Sequence, residues 1–171
     1  DRLPATEVVK ILDRFFESVA GPIGPHGGEV LKFIGDAVLA IFPVLSDGVG
    51  AACGRALSAA NAAVRGVSLL NRQGETPPID LGIGLHVGEV MYGNIGARDR
   101  LDFTVIGAVV NEVCRVESLC RVLASPILMT AAFAAACDRD RVRSRGVHEL
   151  KGVAAPQEIY APAEEPAFDD R

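Results

Sequence analysis

Five polar side chains stand in or beside segments that otherwise read as apolar: Lys32, Asp36, Thr104, Asn111 and Arg115. Lys32 lies within Val30-Leu31-Lys32-Phe33-Ile34, and Asp36 follows Gly35 just before the apolar run Ala37 to Phe42. Only three of the 17 basic residues are lysines, so arginine is the default cation of this chain. A lysine on an apolar strand is either an edge-strand gatekeeper or a compact donor aimed at a ligand atom. Asp36 is either ordinary turn chemistry or a hard oxygen ligand for Mg²⁺, which binds through one or two carboxylates plus substrate phosphates. Asn111 and Arg115 are spaced i, i+4 and so share one helix face. That face is either simply solvated or suited to phosphate, since Arg offers a planar fork of donors. Thr104 can donate or accept one hydrogen bond, and as a β-branched residue it also simply fits a strand.

The elements that must position these residues follow from periodicity. Two β-rich arms joined by Gly35-Asp36 predict a hairpin, because Gly tolerates the positive φ that tight hairpin turns need. Before it, Pro4 and Glu7 open a helix whose stripe is Val8, Leu12, Phe15 and Val19. After it, the Ala-rich stretch from about Val49 to Leu70 predicts a second helix. Ile79, Leu81, Ile83, Leu85 and Val87 alternate with Asp80, Gly82, Gly84, His86 and Gly88, which predicts a long strand. Glycines weaken a strand, so their repetition predicts close approach by a helix, a ligand or a second subunit. Val90 to Gly96 continues that strand, and Leu101 to Ile106 forms another. A third helix is expected from Gly107 to about Leu123, with Val109, Val113, Val116, Cys120 and Leu123 buried. Pro126 to Thr130 is a short strand, Ala131 to Cys137 a short helix, and Val147 to Tyr160 two strands.

The resulting order is α-β-β-α-β-β-α-β-α-β-β. It predicts an α/β (α+β) fold with helices packed on a mixed sheet. With one more strand ahead of the first helix, the first half would read as a ferredoxin-like βαββαβ core, followed by additional αβαββ elements. The chain opens on Asp1-Arg2-Leu3-Pro4 without an initiator Met, so it is expected to be part of a longer protein. Residues 1–161 are read as one domain, and the acidic, Pro-containing stretch 162–171 as a disordered tail.

Composition excludes several functions. The 171 residues carry a net charge of −5 and 5% aromatic residues with no Trp, so neither a basic footprint nor a base-stacking surface for nucleic acid is expected. Cys53, Cys114, Cys120 and Cys137 show no metal spacing and read as small buried residues in a reducing cytosol. No stretch is long and apolar enough to cross a membrane. His26, His86 and His148 are far apart and read as structural.

Taken together and in order, these segments resemble the catalytic domain of class III nucleotidyl cyclases, the adenylate/guanylate cyclase family. Gly27 to Phe42 resembles the family's second metal-aspartate hairpin. Gly82-Ile83-Gly84-Leu85-His86-Val87-Gly88-Glu89-Val90 with Gly93-Asn94-Ile95-Gly96 resembles its glycine-rich strand. Asp102 to Gly107, followed by Val110-Asn111 and Arg115-Val116-Glu117, resembles its substrate and transition-state segment. Leu150-Lys151-Gly152-Val153 through Tyr160 resembles its closing hairpin.

The resemblance implies an adenylate cyclase that converts ATP to 3′,5′-cyclic AMP and pyrophosphate by two-metal catalysis. Asp36 would hold one of two Mg²⁺ or Mn²⁺ ions. Lys32 and Thr104 would read the adenine edge; guanylate-specific members carry an acid at the lysine position. Asn111 would position the ribose and Arg115 would bind the phosphates in the transition state. The site would lie between two copies in a homodimer, in the cytoplasm or in a cytosol-facing part of a bacterial protein. Regulatory or membrane domains could precede it.

The family's first metal aspartate sits in a D-x-x-G-F-T motif just before the first helix. No acid here substitutes for it, since Asp13 and Glu17 fall on a polar helix face, so the stretch by itself is expected to be inactive. Ala108 stands where many members carry Asp or Asn. The cation for the terminal phosphates is left open between Lys151 and Arg143. A non-catalytic cyclase-homology module for dimerisation or nucleotide sensing is the alternative reading.

Overall fold

The computed structural model describes residues 4–74, 77–97 and 100–165; the side chains of Ala5 and of residues 95–104 lie outside that description. Two compact units emerge. One is built from the residues up to Pro43 and from Arg55–Leu81, the other from Val44–Gly54 and Gly82–Glu165.

In the first unit, helix α1 (Ala5–Ala20) starts at Pro4, whose carbonyl accepts the amides of Glu7 and Val8. Phe15 is buried, whereas Val8 and Val9 at the helix start are 41% and 55% exposed. The expected stripe is therefore covered only in its second half. The hairpin forms as its sequence predicts. Strand β1 (Glu29–Ile34) pairs antiparallel with β2 (Ala37–Ile41) across the turn Gly35-Asp36. Gly35 takes φ 65 while Asp36 keeps a negative φ, the pattern of a type II′ turn. The register slips between Val30 and Lys32, so Lys32 faces Leu39 across the pair. Phe16 of α1 stacks edge-on against Phe33 with ring centroids 4.7 Å apart, tying helix to hairpin. Helix α2 (Val49–Gln73) buries Leu57, Val64 and Val67 together with a run of alanines. Within the first unit it approaches α1 closely at Gly66, where a Cβ would lie 3.3 Å from Ser18 Cβ.

The strand expected over 79–88 is shorter in the structure. Ile79 is taken out of any strand ladder by the Asn71 side chain, which accepts from the Ile79 amide at 2.9 Å and donates to its carbonyl at 3.0 Å. Strand β3 spans only Ile83–Leu85 and pairs parallel with β6 (Ile127–Thr130). The segment expected to continue it is instead β4 (Met91–Ala97), which forms a separate hairpin with β5 (Arg100–Ile106).

Helix α3 (Ala108–Ser118) follows, then β6, helix α4 (Ala131–Ala136), β7 (Val142–His148) and β8 (Gln157–Pro162). The sheet order is β3-β6-β8-β7, parallel at β3/β6 and antiparallel elsewhere. This is a mixed sheet carrying packed helices, as the element order predicts. Strand β7 begins at Val142, inside a segment that reads only as basic in the sequence. Of the expected tail, Pro162 completes β8 and Glu165 is bonded to Ser125, Arg143 and Arg145; residues 166–171 lie outside the described set.

The glycine face of the β3 segment is where α3 packs. A Cβ at Gly84 would lie 2.5 Å from the Val113 carbonyl oxygen and 2.9 Å from the Glu117 amide nitrogen. At Gly82 it would meet Glu117 and Cys120, and at Gly88 the Val109 side chain. Of the three partners the glycines allow for, a helix is the one that takes the space. Below it, Val116, Cys120, Leu128, Leu150, Ile159 and Ala161 form one buried cluster.

Substituting Gly84 by Ala forces backbone atoms of α3 apart and should cost about 1–3 kcal/mol, as overpacking does. Gly54→Ala, on α2 where an added Cβ meets nothing within 4 Å, should stabilise by about 0.5–1 kcal/mol. Urea unfolding of the two variants checks the contrast; equal effects would remove the close-packing argument.

Candidate nucleotide site

The second unit presents a polar cleft of about 320 Å³. One wall is the outer face of α3, where Asn111 and Arg115 are exposed one turn apart, with Glu112 between them. That orientation follows from the opposite face: Val116 and Cys120 are buried in the core, which turns positions 111 and 115 outward. Cys114 is exposed on the same helix, so the expectation that all four cysteines are buried holds for Cys53 and Cys120 but not for it. Burial pushes the Cys120 thiol up to about 12 and the Cys53 thiol up to about 11, so neither is a nucleophile near neutral pH.

The other wall is the turn after β7. Val153 N–H donates to the Leu150 carbonyl at 3.0 Å, and Gly152 takes φ 84, the pattern of a type II turn. Leu150 is buried in the core cluster and Val153 packs against it. These two anchors hold Lys151 at the exposed tip, lining the same cleft as Asn111 and Arg115.

The two cations weighed for the terminal phosphates thereby part company. Arg143 donates to Glu165 Oε1 at 2.9 Å, and the same oxygen accepts from Arg145 at 2.8 Å and from Ser125 Oγ at 2.9 Å. Arg143 is thus tied to Glu165, whereas among the described residues Lys151 and Arg115 have no ion-pair partner. The side chain aimed at the cleft is Lys151. Sequence spacing could not choose, because the choice depends on which long-range carboxylate each cation meets.

Lys32 and Asp36 belong to the first unit. Lys32 is half-buried on β1 and has no ion-pair partner among the described residues; Asp36 stands exposed at the hairpin tip. Thr104 lies on β5 opposite Gly93, with its side chain outside the described set. The second unit therefore brings together Asn111 and Arg115, and the first brings together Lys32 and Asp36.

Among the described residues no group of three or more His, Cys, Asp or Glu side chains could hold a metal ion. Asp36 supplies one hard oxygen ligand at an open position. That fits Mg²⁺ or Mn²⁺ bound by a single protein carboxylate with substrate phosphates and water, and it does not by itself form a site for two ions.

Residues 1–161 match the family described as "Adenylate and Guanylate cyclase catalytic domain", and the chain belongs to that family. An uncharacterized protein of Mycobacterium tuberculosis (strain CDC 1551 / Oshkosh) is 35% identical over 91% of this chain and 28% of its own length. Another from M. tuberculosis (strain H37Rv) is 40% identical over 77% of this chain and 24% of its own. The chain thus spans less than a third of either relative. Among solved structures, a bacterial light-regulated adenylyl cyclase superposes with TM-score 0.83 at 31% identity, covering 99% of this chain and 49% of that one. The guanylyl cyclase Cya2 gives 0.80 at 31%, covering 96% and 84%. The adenylyl cyclase CyaB from P. aeruginosa gives 0.82 at 27%, covering 99% and 86%.

Lys151→Ala in the full-length protein should raise the KM for nucleotide about tenfold, the loss of one charge-assisted phosphate contact. Arg143→Ala should leave KM unchanged. Steady-state kinetics on both variants decides between the two cations, and the reverse pattern would exchange their roles.

Proposed function

We propose that this cyclase domain makes 3′,5′-cyclic AMP from ATP. The observation that carries the choice of ATP is Lys32, a half-buried ammonium on β1 with no ion-pair partner among the described residues. An ammonium only donates hydrogen bonds. It matches an acceptor nitrogen on the adenine edge and opposes the N–H donors at the corresponding edge of guanine. Thr104 is assigned the second contact to the base.

In this reading Asn111 holds the ribose while its 3′-oxygen attacks the α-phosphorus. The bond from that phosphorus to the bridging oxygen breaks, pyrophosphate leaves, and the proton on the 3′-hydroxyl is lost. Arg115 binds phosphate oxygens as charge builds in the transition state, and Lys151 binds the departing pyrophosphate end; fixed cations aimed at developing charge are the strongest source of rate in such reactions. Asp36 holds one of two Mg²⁺ or Mn²⁺ ions. When bound, those ions acidify the attacking hydroxyl and clamp phosphate oxygens.

The proposal places Asp36 and Lys32 of one copy against Asn111 and Arg115 of a second, in a homodimer. It sets the domain in the cytoplasm; among the described residues no helix is long and apolar enough to cross a membrane.

The test is cyclic AMP formation from ATP by the full-length protein with Mn²⁺. Asp36→Ala should lower kcat by at least about 100-fold, as loss of a group acting on developing charge does; equal turnover would remove the metal role. Lys32→Glu should move the ATP/GTP ratio of kcat/KM toward GTP by about tenfold or more, the size set by one hydrogen-bonded group left unmatched. An unchanged ratio would take Lys32 out of base recognition. No product from either nucleotide would favour the non-catalytic module.

A further inference from the structure

The cleft holds a feature that the proposed reaction does not use. Glu112 lies between Asn111 and Arg115 and lines the same space. A carboxylate there works against a polyanionic substrate, and Arg115, three residues on, is within reach of it along the helix. Yet no Glu112–Arg115 or Glu112–Lys151 pair forms. The Glu112 carboxylate instead turns inward, with Oε2 3.7 Å from Nε2 of His86. That distance is an electrostatic contact, longer than a direct hydrogen bond.

His86 is fixed from its other side. Its side chain is 8% exposed, and its Nδ1 lies 2.7 Å from the Thr130 hydroxyl oxygen. Thr130 is itself buried and caps α4, its oxygen accepting the Phe133 amide at 3.3 Å. With that amide donating to the oxygen, the hydroxyl proton is free to point at Nδ1. The imidazole proton then sits on Nε2, facing Glu112. The chain of contacts runs from the α4 cap through His86 to the α3 wall of the cleft, all within one unit. Burial pulls the His86 imidazole below its ordinary value and the Glu112 charge pulls it back up. An exposed pair along a helix is weak and screened, while a contact to a half-buried partner is screened less.

We propose that His86 is a positioning residue that holds Glu112 against β3, which leaves Arg115 and Lys151 unneutralised for the nucleotide phosphates. The inference rests on the reading of this cleft as a phosphate site.

The experiment is a double-mutant cycle in the full-length protein, read as KM and kcat for ATP. His86→Ala should raise KM about tenfold with a smaller change in kcat, because a released carboxylate competes for the same cations. Glu112→Gln alone should leave KM at or below the wild-type value. In the Glu112→Gln background, His86→Ala should change KM by less than about twofold, since sites sharing one interaction are not additive. If His86→Ala raises KM equally in both backgrounds, His86 only supports the fold and the proposal is overturned. The same holds if His86→Ala leaves KM unchanged in the wild-type background. His86→Gln, which keeps a donor, replaces the alanine variant if that fails to fold, and should lie closer to wild type.

A second readout needs no turnover. NMR titration of the His86 imidazole should show a lower pKa in Glu112→Gln than in wild type. An unchanged value would disprove the contact itself. A wild-type protein that makes no cyclic nucleotide would instead strike at the proposed function, leaving the contact to be judged by this titration alone.

Discussion

The structure depends on how closely α3 can lie on the β3 segment. With a side chain at position 84, backbone atoms of Val113 and Glu117 would have to move, since a Cβ there would approach them to 2.5 and 2.9 Å. Glycine at 82, 84 and 88 removes that obstacle along the whole contact. The helix then seats with Val116 and Cys120 in the core and with Asn111 and Arg115 turned outward. The same seating brings Glu112 within reach of His86, which follows β3 directly. A strand that looks weak by propensity is thus what fixes the polar wall of the cleft. The loss of side chains from β3 is offset by β6, whose Ile127, Leu128 and Met129 are fully buried beside it.

What could be read from the sequence was whatever is local. The β1–β2 hairpin was legible because its turn chemistry and its apolar arms agree, and its ends fall within a residue of expectation. The polar face of α3 was legible because helical spacing alone puts residues 111 and 115 together. The long strand over 79–88 was overread. Its alternation is real, but strand pairing needs free backbone groups, and those of Ile79 go to Asn71. Strand β7 was missed because Arg143 and Arg145 read as a charged loop, while its pairing is decided by β8. Of the cleft, the α3 side was visible and the Lys151 side was not, because two core residues far along the chain, Leu150 and Val153, set where Lys151 stands. His86 was read as structural. Nothing in a single sequence shows that the residue opposite it is a carboxylate from the site.

Global likeness stops short of the substrate. An adenylyl and a guanylyl cyclase structure match this chain at the same 31% identity and nearly the same TM-score, 0.83 and 0.80. The fold is therefore indifferent to the base, and discrimination must reside in a few side chains. That is physically reasonable. A site built to hydrogen-bond one pattern of donors and acceptors rejects the mismatched base because a polar group is left unpaired, a penalty that packing differences seldom equal. It also explains how the specificity can sit on a hairpin and not in the core, where Lys32 can be exchanged without repacking anything.

The charge distribution sharpens the same point. With a net charge of −5, the chain as a whole repels a nucleoside triphosphate, so attraction must be local. Within the second unit, Arg143 and Arg145 are both spent on Glu165, and that cluster ties β7 to the segment after β8 and to Ser125. Arg115 and Lys151 meet no carboxylate among the described residues although Glu112 stands between Asn111 and Arg115, because Glu112 is turned toward a buried imidazole. A Coulomb contact between exposed groups is heavily screened in water, whereas one in a cleft closed over by substrate is not. The arrangement therefore keeps two cations uncompensated at the one place where a bound polyanion would exclude water. It is the pairing of charges, and not their sum, that marks this cleft as a phosphate site.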